Sequence, residues 1–344
     1  MERRERLVEL DYFNAAACLM VMLIHVLSLG VTELDRGSWQ AAAVYLPWRL
    51  AAFAVPAFLF CGAVKLGARF RKEDGGPKYG PYVLGRVWKV YLPYAAAVVV
   101  YYAVLAQIHY VTPSWKGFFS YLWLGNLSSQ FYYIVITMQF YLLMPLWRWA
   151  VRRVPWYEAM LWAAAAQFLV QKGGAWLGFP WTDRVFPAYL VFWTAGLYAG
   201  RHYGAVRARL EADRRGIAWS ALPVALCAAV SWRQFAAGWE ALPIDLDVLK
   251  LFTDGMSILL LLTACISLQG RAAGLERALR GIHRASFFVY LSHCLVLTLV
   301  TYWLLQAGVY RIAVQLAVRA LACFTVPFLL YFVYWKIRRR VKCM

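Results

Sequence analysis

The chain has 344 residues, 63% of them hydrophobic and only 15% charged, with 17 Trp, 22 Tyr and 20 Phe, whereas soluble domains run at roughly 45–50% apolar and 25% charged. This composition excludes an ordinary soluble enzyme and predicts an all-α polytopic membrane protein, because in lipid each spanning segment must satisfy its own backbone groups. The net charge of +19 sits in short basic clusters between apolar runs rather than on one polar surface, which argues against nucleic acid and leaves the lipid bilayer as the expected surroundings.

The opening Met1-Glu-Arg-Arg-Glu-Arg resembles the charged start of a signal peptide. The apolar run behind it is too long, however, and lacks a small-x-small cleavage site, so it reads as an uncleaved first span near residues 10–31. Further helices are expected near 41–64, 82–108, 129–147, 156–173, 185–201, 216–235, 249–270, 286–307 and 312–336, about ten spans in all. The fourth is the least regular, since 118–124 is also apolar and reads as a short re-entrant or interfacial piece before Gly125. Pro56, Pro93, Pro145, Pro187 and Pro327 are expected to kink or break their spans. Tryptophans such as Trp39, Trp115, Trp156 and Trp219 near span ends form an aromatic belt.

No loop exceeds roughly 20 residues, so residues 1–344 read as a single membrane domain with no separate soluble one. Most of the 36 Lys and Arg fall in alternate loops. By the positive-inside rule both termini are then cytoplasmic, the span count is even, and the multi-pass protein belongs in a cell membrane, most simply a bacterial inner or plasma membrane.

Three sets of polar residues could carry chemistry. His25 lies about two-thirds along the first apolar run, and an ionisable group at that depth is a functional-site hypothesis by default. Imidazole exchanges a proton near neutral pH and suits a general base acting on an alcohol. Arg86 and Lys89 open the third span three residues apart, a spacing that puts them on one helical face. They read either as a phosphate hold or as ordinary positive-inside anchors. Arg49, Asp254 and Arg319 also interrupt apolar runs, which a polar acceptor groove explains as well as mutual ion pairing does. His109, His202 and His283 read as solvated residues of loops and span ends. The seven cysteines form no Cys-x-x-Cys pair and read as small buried hydrophobes, and no local spacing suggests a metal site.

Four segments together resemble the acyltransferase-3 family of integral-membrane O-acyltransferases, which modify sugars of surface polysaccharides and related glycoconjugates. The first is Leu10-Asp11-Tyr12-Phe13-Asn14 followed by His25, and the second is Val55-Pro56-Ala57-Phe58-Leu59-Phe60-Cys61-Gly62. The third is Arg86-Val-Trp-Lys89 with Pro93-Tyr94, and the fourth is Ser286-Phe-Phe-Val-Tyr290-Leu-Ser-His293. A fourth-span stretch containing Gln139, Tyr141 and Pro145 also fits. The sequence departs from the family pattern at Asn14 and Lys89, each standing where an Arg is usual, and at Cys61, which replaces Ser.

The resemblance implies a membrane O-acyltransferase that moves an acyl group, acetyl above all, from cytoplasmic acyl-CoA to a hydroxyl of a polysaccharide or lipid-linked saccharide. Acetyl-CoA would be a co-substrate rather than a bound cofactor. His25 would be the base, with Asp11, Asn14, Tyr290 and His293 around the reaction. Arg86 and Lys89, helped by Arg69, Arg71 and Lys72, would hold the donor's phosphates. His25 stands eleven residues from Asn14, ~16 Å along a helix, or about half the hydrocarbon thickness, a gap that a pantetheine arm spans. His293 falls some seven residues into the ninth span, nearer the cytoplasm; it orients a ligand or is a buried histidine bonded to another helix. The alternative function is a transporter or flippase for a polysaccharide precursor, although the chain lacks the internal repeats common in such folds.

Overall fold

The computed structural model describes residues 7–70, 77–237 and 246–342. Among them there is no strand. The helices are α1 (Val8–Glu33), α2 (Trp39–Ala51), α3 (Ala54–Phe70), α4 (Tyr79–Arg86), a π-helical turn (Val87–Tyr91), α5 (Leu92–Gln107), α6 (Trp115–Leu124), α7 (Tyr132–Leu142), α8 (Met144–Arg153) and α9 (Trp156–Trp176). Two short 3-10 turns, Thr182–Arg184 and Phe186–Tyr189, lead into α10 (Leu190–Arg201). Then come α11 (Tyr203–Ala212), α12 (Arg214–Trp219), α13 (Ala221–Ala236), α14 (Leu246–Leu268), α15 (Ala273–Gln306) and α16 (Ile312–Lys342).

Seven of these helices or helix runs are long and apolar enough to cross a membrane, and eight if α7 and α8, bent by 60°, count as one span. That corrects the expected ten. The two that drop out are still helices. α9 has 21 residues but includes Glu158, Gln167, Gln171 and Lys172. α10 has only 12 residues, about 18 Å of helix against a hydrocarbon core of about 30 Å. Large apolar side chains such as Trp88, Leu161, Leu226, Leu321 and Leu329 lie exposed, as lipid-facing groups do where lipid replaces water.

The prolines act where their missing N–H falls. Pro56 cannot bond the carbonyl of Ala52, and the run from Trp39 to Phe70 breaks at Ala52 and Phe53, between α2 and α3. Pro93 lacks a bond to Lys89, and the chain widens into the π-helical turn just before it, with the Leu92 N–H reaching back to the Val87 carbonyl. Pro145 sits at the α7–α8 bend, and Pro187 lies in the 3-10 turn ahead of α10. Pro327 is the exception, because α16 runs through it without a break. The apolar 118–124 piece is indeed separate, lying within α6, which starts with the Gly117 N–H donating to the Ser114 hydroxyl and stops at Gly125, whose φ of 63° suits a residue without Cβ.

The contacts divide the chain into two compact units, residues 1–57 with 207–344, and residues 58–206. In the second unit Trp193 is fully buried and stacks on Phe140 with centroids 4.3 Å apart. Gln139 grips the turn before α10 at both edges, donating to the Arg184 carbonyl (2.8 Å) and accepting from the Phe186 N–H (2.9 Å). Here α3 and α10 touch backbone to backbone. A Cβ on Gly200 would fall 2.2 Å from the Val64 carbonyl oxygen, and one on Gly196 2.5 Å from that of Phe60. This Gly-x-x-x-Gly contact is the small-residue packing that lets membrane helices approach closely. Gly200→Leu is therefore expected to cost at least the ~1–3 kcal/mol of an overpacked core, read as a lower melting temperature and a lower yield of monodisperse protein in detergent.

In the first unit α1, α15 and α16 pack against one another, with α2 also against α1. Tyr45 of α2 is buried, stacks on Phe235 of α13 at 4.5 Å, and donates to the Ser231 carbonyl at 3.2 Å.

Candidate active site

The first turns of α1 carry Glu9, Asp11 and Tyr12, all buried, and each meets a partner from a basic stretch of the same unit. Arg207 reaches Glu9 at 3.3 Å and also donates to Gln269. Tyr12 donates to Glu276 at 2.6 Å, and Arg280 bonds both of them. His283 lies 3.0 Å from Asp11. Asp11 thus faces an imidazole carried by α15. His283, expected to be solvated, instead sits on α15 with its side chain 24% exposed, and its Nδ1 is buried with no hydrogen-bond partner among the described residues. Asn14 lies partly buried one turn further along α1. Positive charge at this end of α1 comes from Arg207 of α11 and Arg280 of α15.

About one turn beyond the middle of α1, His25 is partly exposed and its ring lies 5.2 Å from that of His293, which is fully buried. The two histidines are therefore at one level, not at different depths as the expected span near 286–307 implied. The reason is the length of α15, which begins at Ala273 and places His293 about six turns in. His293 does not bond another helix through Nδ1, which instead faces the Val289 and Tyr290 carbonyls of its own helix at 3.0 and 2.9 Å. That fixes Nδ1 as the protonated nitrogen and leaves Nε2 as an acceptor, 3.3 Å from the Cys294 sulfur. Tyr290, also buried, has its ring 6.0 Å from His293.

Arg319 of α16 completes the cluster from behind. One guanidinium nitrogen donates to the His25 carbonyl at 2.9 Å and another to the Thr301 hydroxyl. Among the described residues it pairs with no carboxylate. Asp254 does form an ion pair, with Lys250 one turn away at 2.5 Å, while Arg49 leans on the Ser231 hydroxyl at 3.4 Å. Arg49 and Asp254 also line one shallow cleft with Thr253 and Ser257.

In the second unit Arg86 ends α4, and its guanidinium lies 5.0 Å from the Tyr82 ring centroid and 4.6 Å from that of Tyr141, two cation–π contacts. Arg69 also lies near enough to Tyr82 for its charge to act there. Lys89 falls inside the π-helical turn and is exposed, whereas Arg86 is partly buried. The shared face that three-residue spacing gives an α-helix is loosened by that wider winding. Arg71 and Lys72 lie outside the described residues.

The cysteine reading holds for packing. Cys18, Cys61, Cys265, Cys294 and Cys323 are buried and unbridged, with Cys227 partly so.

The family model described as an acyltransferase domain, acyltransferase-3, matches residues 7–335. The chain belongs to this family and is a multi-pass membrane acyltransferase, transferring groups other than aminoacyl. No curated protein and no solved structure matches it.

Proposed function

We propose that the protein O-acylates a saccharide, with His25 as the general base that takes the proton of the incoming hydroxyl. The donor is a cytoplasmic acyl-CoA, acetyl-CoA above all, and the acceptor is a surface polysaccharide or a lipid-linked saccharide at a bacterial inner or plasma membrane. The observation that carries this reading is the partly exposed His25 imidazole in mid-span, beside the buried His293 ring at 5.2 Å. Attack of the hydroxyl oxygen on the thioester carbonyl forms the ester and expels the CoA thiolate, which takes up the proton His25 accepted. Burial raises the value of every dipole aimed at the developing oxyanion, and Tyr290 is the donor we assign to it.

Arg86 is the main phosphate hold in this reading, since a guanidinium steadied over two aromatic rings gives a planar fork to a phosphate. In this reading Lys89 and Arg69 add charge, as do Arg71 and Lys72, which follow α3 in the sequence. The purified protein in liposomes, given labelled acetyl-CoA and a saccharide acceptor, is expected to transfer label to a sugar hydroxyl. Arg86→Ala should raise KM for acetyl-CoA about tenfold, one charge-assisted bond of ~1.5–3 kcal/mol, and Lys89→Ala should raise it less. Movement of unmodified saccharide across the liposome without labelling would refute the reading, and an unchanged KM in Arg86→Ala would refute the donor site.

A further inference from the structure

The local spacing of histidines and cysteines contains no metal motif, but folding assembles one. His25 comes from α1, and His293 with Cys294 from α15. A ring nitrogen of each histidine and the Cys294 sulfur all lie within 4.8 Å of one another. We propose that these three side chains form a binding site for a borderline-soft cation of the zinc class, and that its occupation withholds His25 from acyl transfer. The second half of this inference rests on the role assigned above to His25; the first half stands on the geometry alone.

The donor set selects the ion. Two imidazoles and a thiolate suit zinc or cuprous copper, whereas magnesium and calcium require oxygen ligands. Metal–nitrogen bonds of about 2.0–2.1 Å and a metal–sulfur bond of about 2.3 Å set tetrahedral edges of roughly 3.4–3.6 Å. The His293 Nε2 to Cys294 Sγ distance of 3.3 Å already lies near such an edge. His25 is the partly exposed member, so rotation of its ring supplies the remaining closure.

His293 is also held as a metal-binding histidine usually is, with Nδ1 against backbone carbonyls and Nε2 directed at the site. Zinc binding displaces the thiol proton to solvent, and the thiolate offsets one of the two charges that arrive. That matters here because the Arg319 guanidinium, bonded to the His25 carbonyl at 2.9 Å, already places a positive charge beside the cluster. Three protein ligands leave a fourth position for water, the arrangement of an accessible rather than a sealed site. Once its ring nitrogen is a ligand, His25 has no lone pair there to accept a hydroxyl proton.

The full chain, purified without a polyhistidine tag and stripped with chelator, is the material for the test. Titration with zinc chloride, and separately with cobalt chloride, should give one ion per chain, with a thiolate-to-cobalt charge-transfer absorption in the near ultraviolet. Cys294→Ser, and Cys294→Ala as a second variant, should lose that absorption and bind the ion at least tenfold more weakly. With free zinc at ten times its dissociation constant, acetyl transfer by the unsubstituted protein should fall about tenfold, as mass action requires. Each Cys294 variant, measured against its own metal-free rate, should resist that inhibition. No stoichiometric binding, or binding and absorption unchanged in both Cys294 variants, would overturn the site. Binding without inhibition would overturn the link to His25. Absence of transfer by the metal-free protein would count against the proposed function while leaving the binding result to stand by itself.

Discussion

Replacing His25 by Ala should lower acyl transfer by about 10²–10⁴-fold, the usual worth of a positioned general base, while the amount of protein in the membrane stays the same. The second half of the expectation follows from packing. His25 is partly exposed, and its backbone carbonyl, not its ring, takes the Arg319 and Ser28 bonds. Deleting the imidazole therefore leaves the Arg319 bond between α1 and α16 in place. His25→Gln keeps much of the volume and a hydrogen-bonding end but cannot take up a proton at neutral pH, so it should be as inactive as the Ala variant. In the unsubstituted protein the rate should fall as the pH is lowered, because a protonated imidazole accepts no proton. The measurement is initial rate in liposomes against protein level by quantitative blot. Transfer within threefold of normal in either variant would remove His25 from the mechanism.

Much of this architecture is legible in the residues, because apolar length, basic clusters and prolines each act locally. Each of the ten helices expected from the sequence has a helical counterpart, yet two do not meet the length or apolarity of a span. α10 shows why: Asp183 and Arg184 stand just before the apolar run near 185–201 and Pro187 near its front, and these residues fall in 3-10 turns held by Gln139. The start of α15 was also legible in principle. Ala273-Gly-Leu-Glu-Arg-Ala-Leu-Arg280 is mostly strong helix formers, but its charge marks it as a loop when hydropathy alone sets the boundary. That boundary hid His283 from Asp11 and put His293 at the wrong depth. The approach of Cys294 to two histidines had no local sign at all, since one ligand lies 268 residues from the others along the chain. Contacts of that kind are set by helix packing, which one sequence does not reveal.

Arg319→Met should separate stability from activity. The residue is 8% exposed and, among the described residues, lies within ion-pair distance of no acidic side chain. Its Nε is buried and has no hydrogen-bond partner among the described residues. A lone guanidinium inside the hydrocarbon region costs about 2.5–3.5 kcal/mol even on insertion scales. Replacing it by a flexible apolar side chain relieves that cost and offsets the two lost hydrogen bonds, so the melting temperature should hold or rise. Acyl transfer should nevertheless fall about tenfold or more. The same two bonds tie the His25 backbone in α1 to Thr301 in α15 through α16, and a misplacement of about 1 Å at a reacting group costs up to 10²-fold. The loss should appear in kcat, with KM for acetyl-CoA unchanged, because Arg319 acts by positioning the base. Arg319→Lys keeps the charge on a single ammonium that lacks the fork to reach both partners, and should recover only part of the rate. If melting temperature and kcat fall together in the Met variant, Arg319 is a structural staple and its link to His25 is incidental.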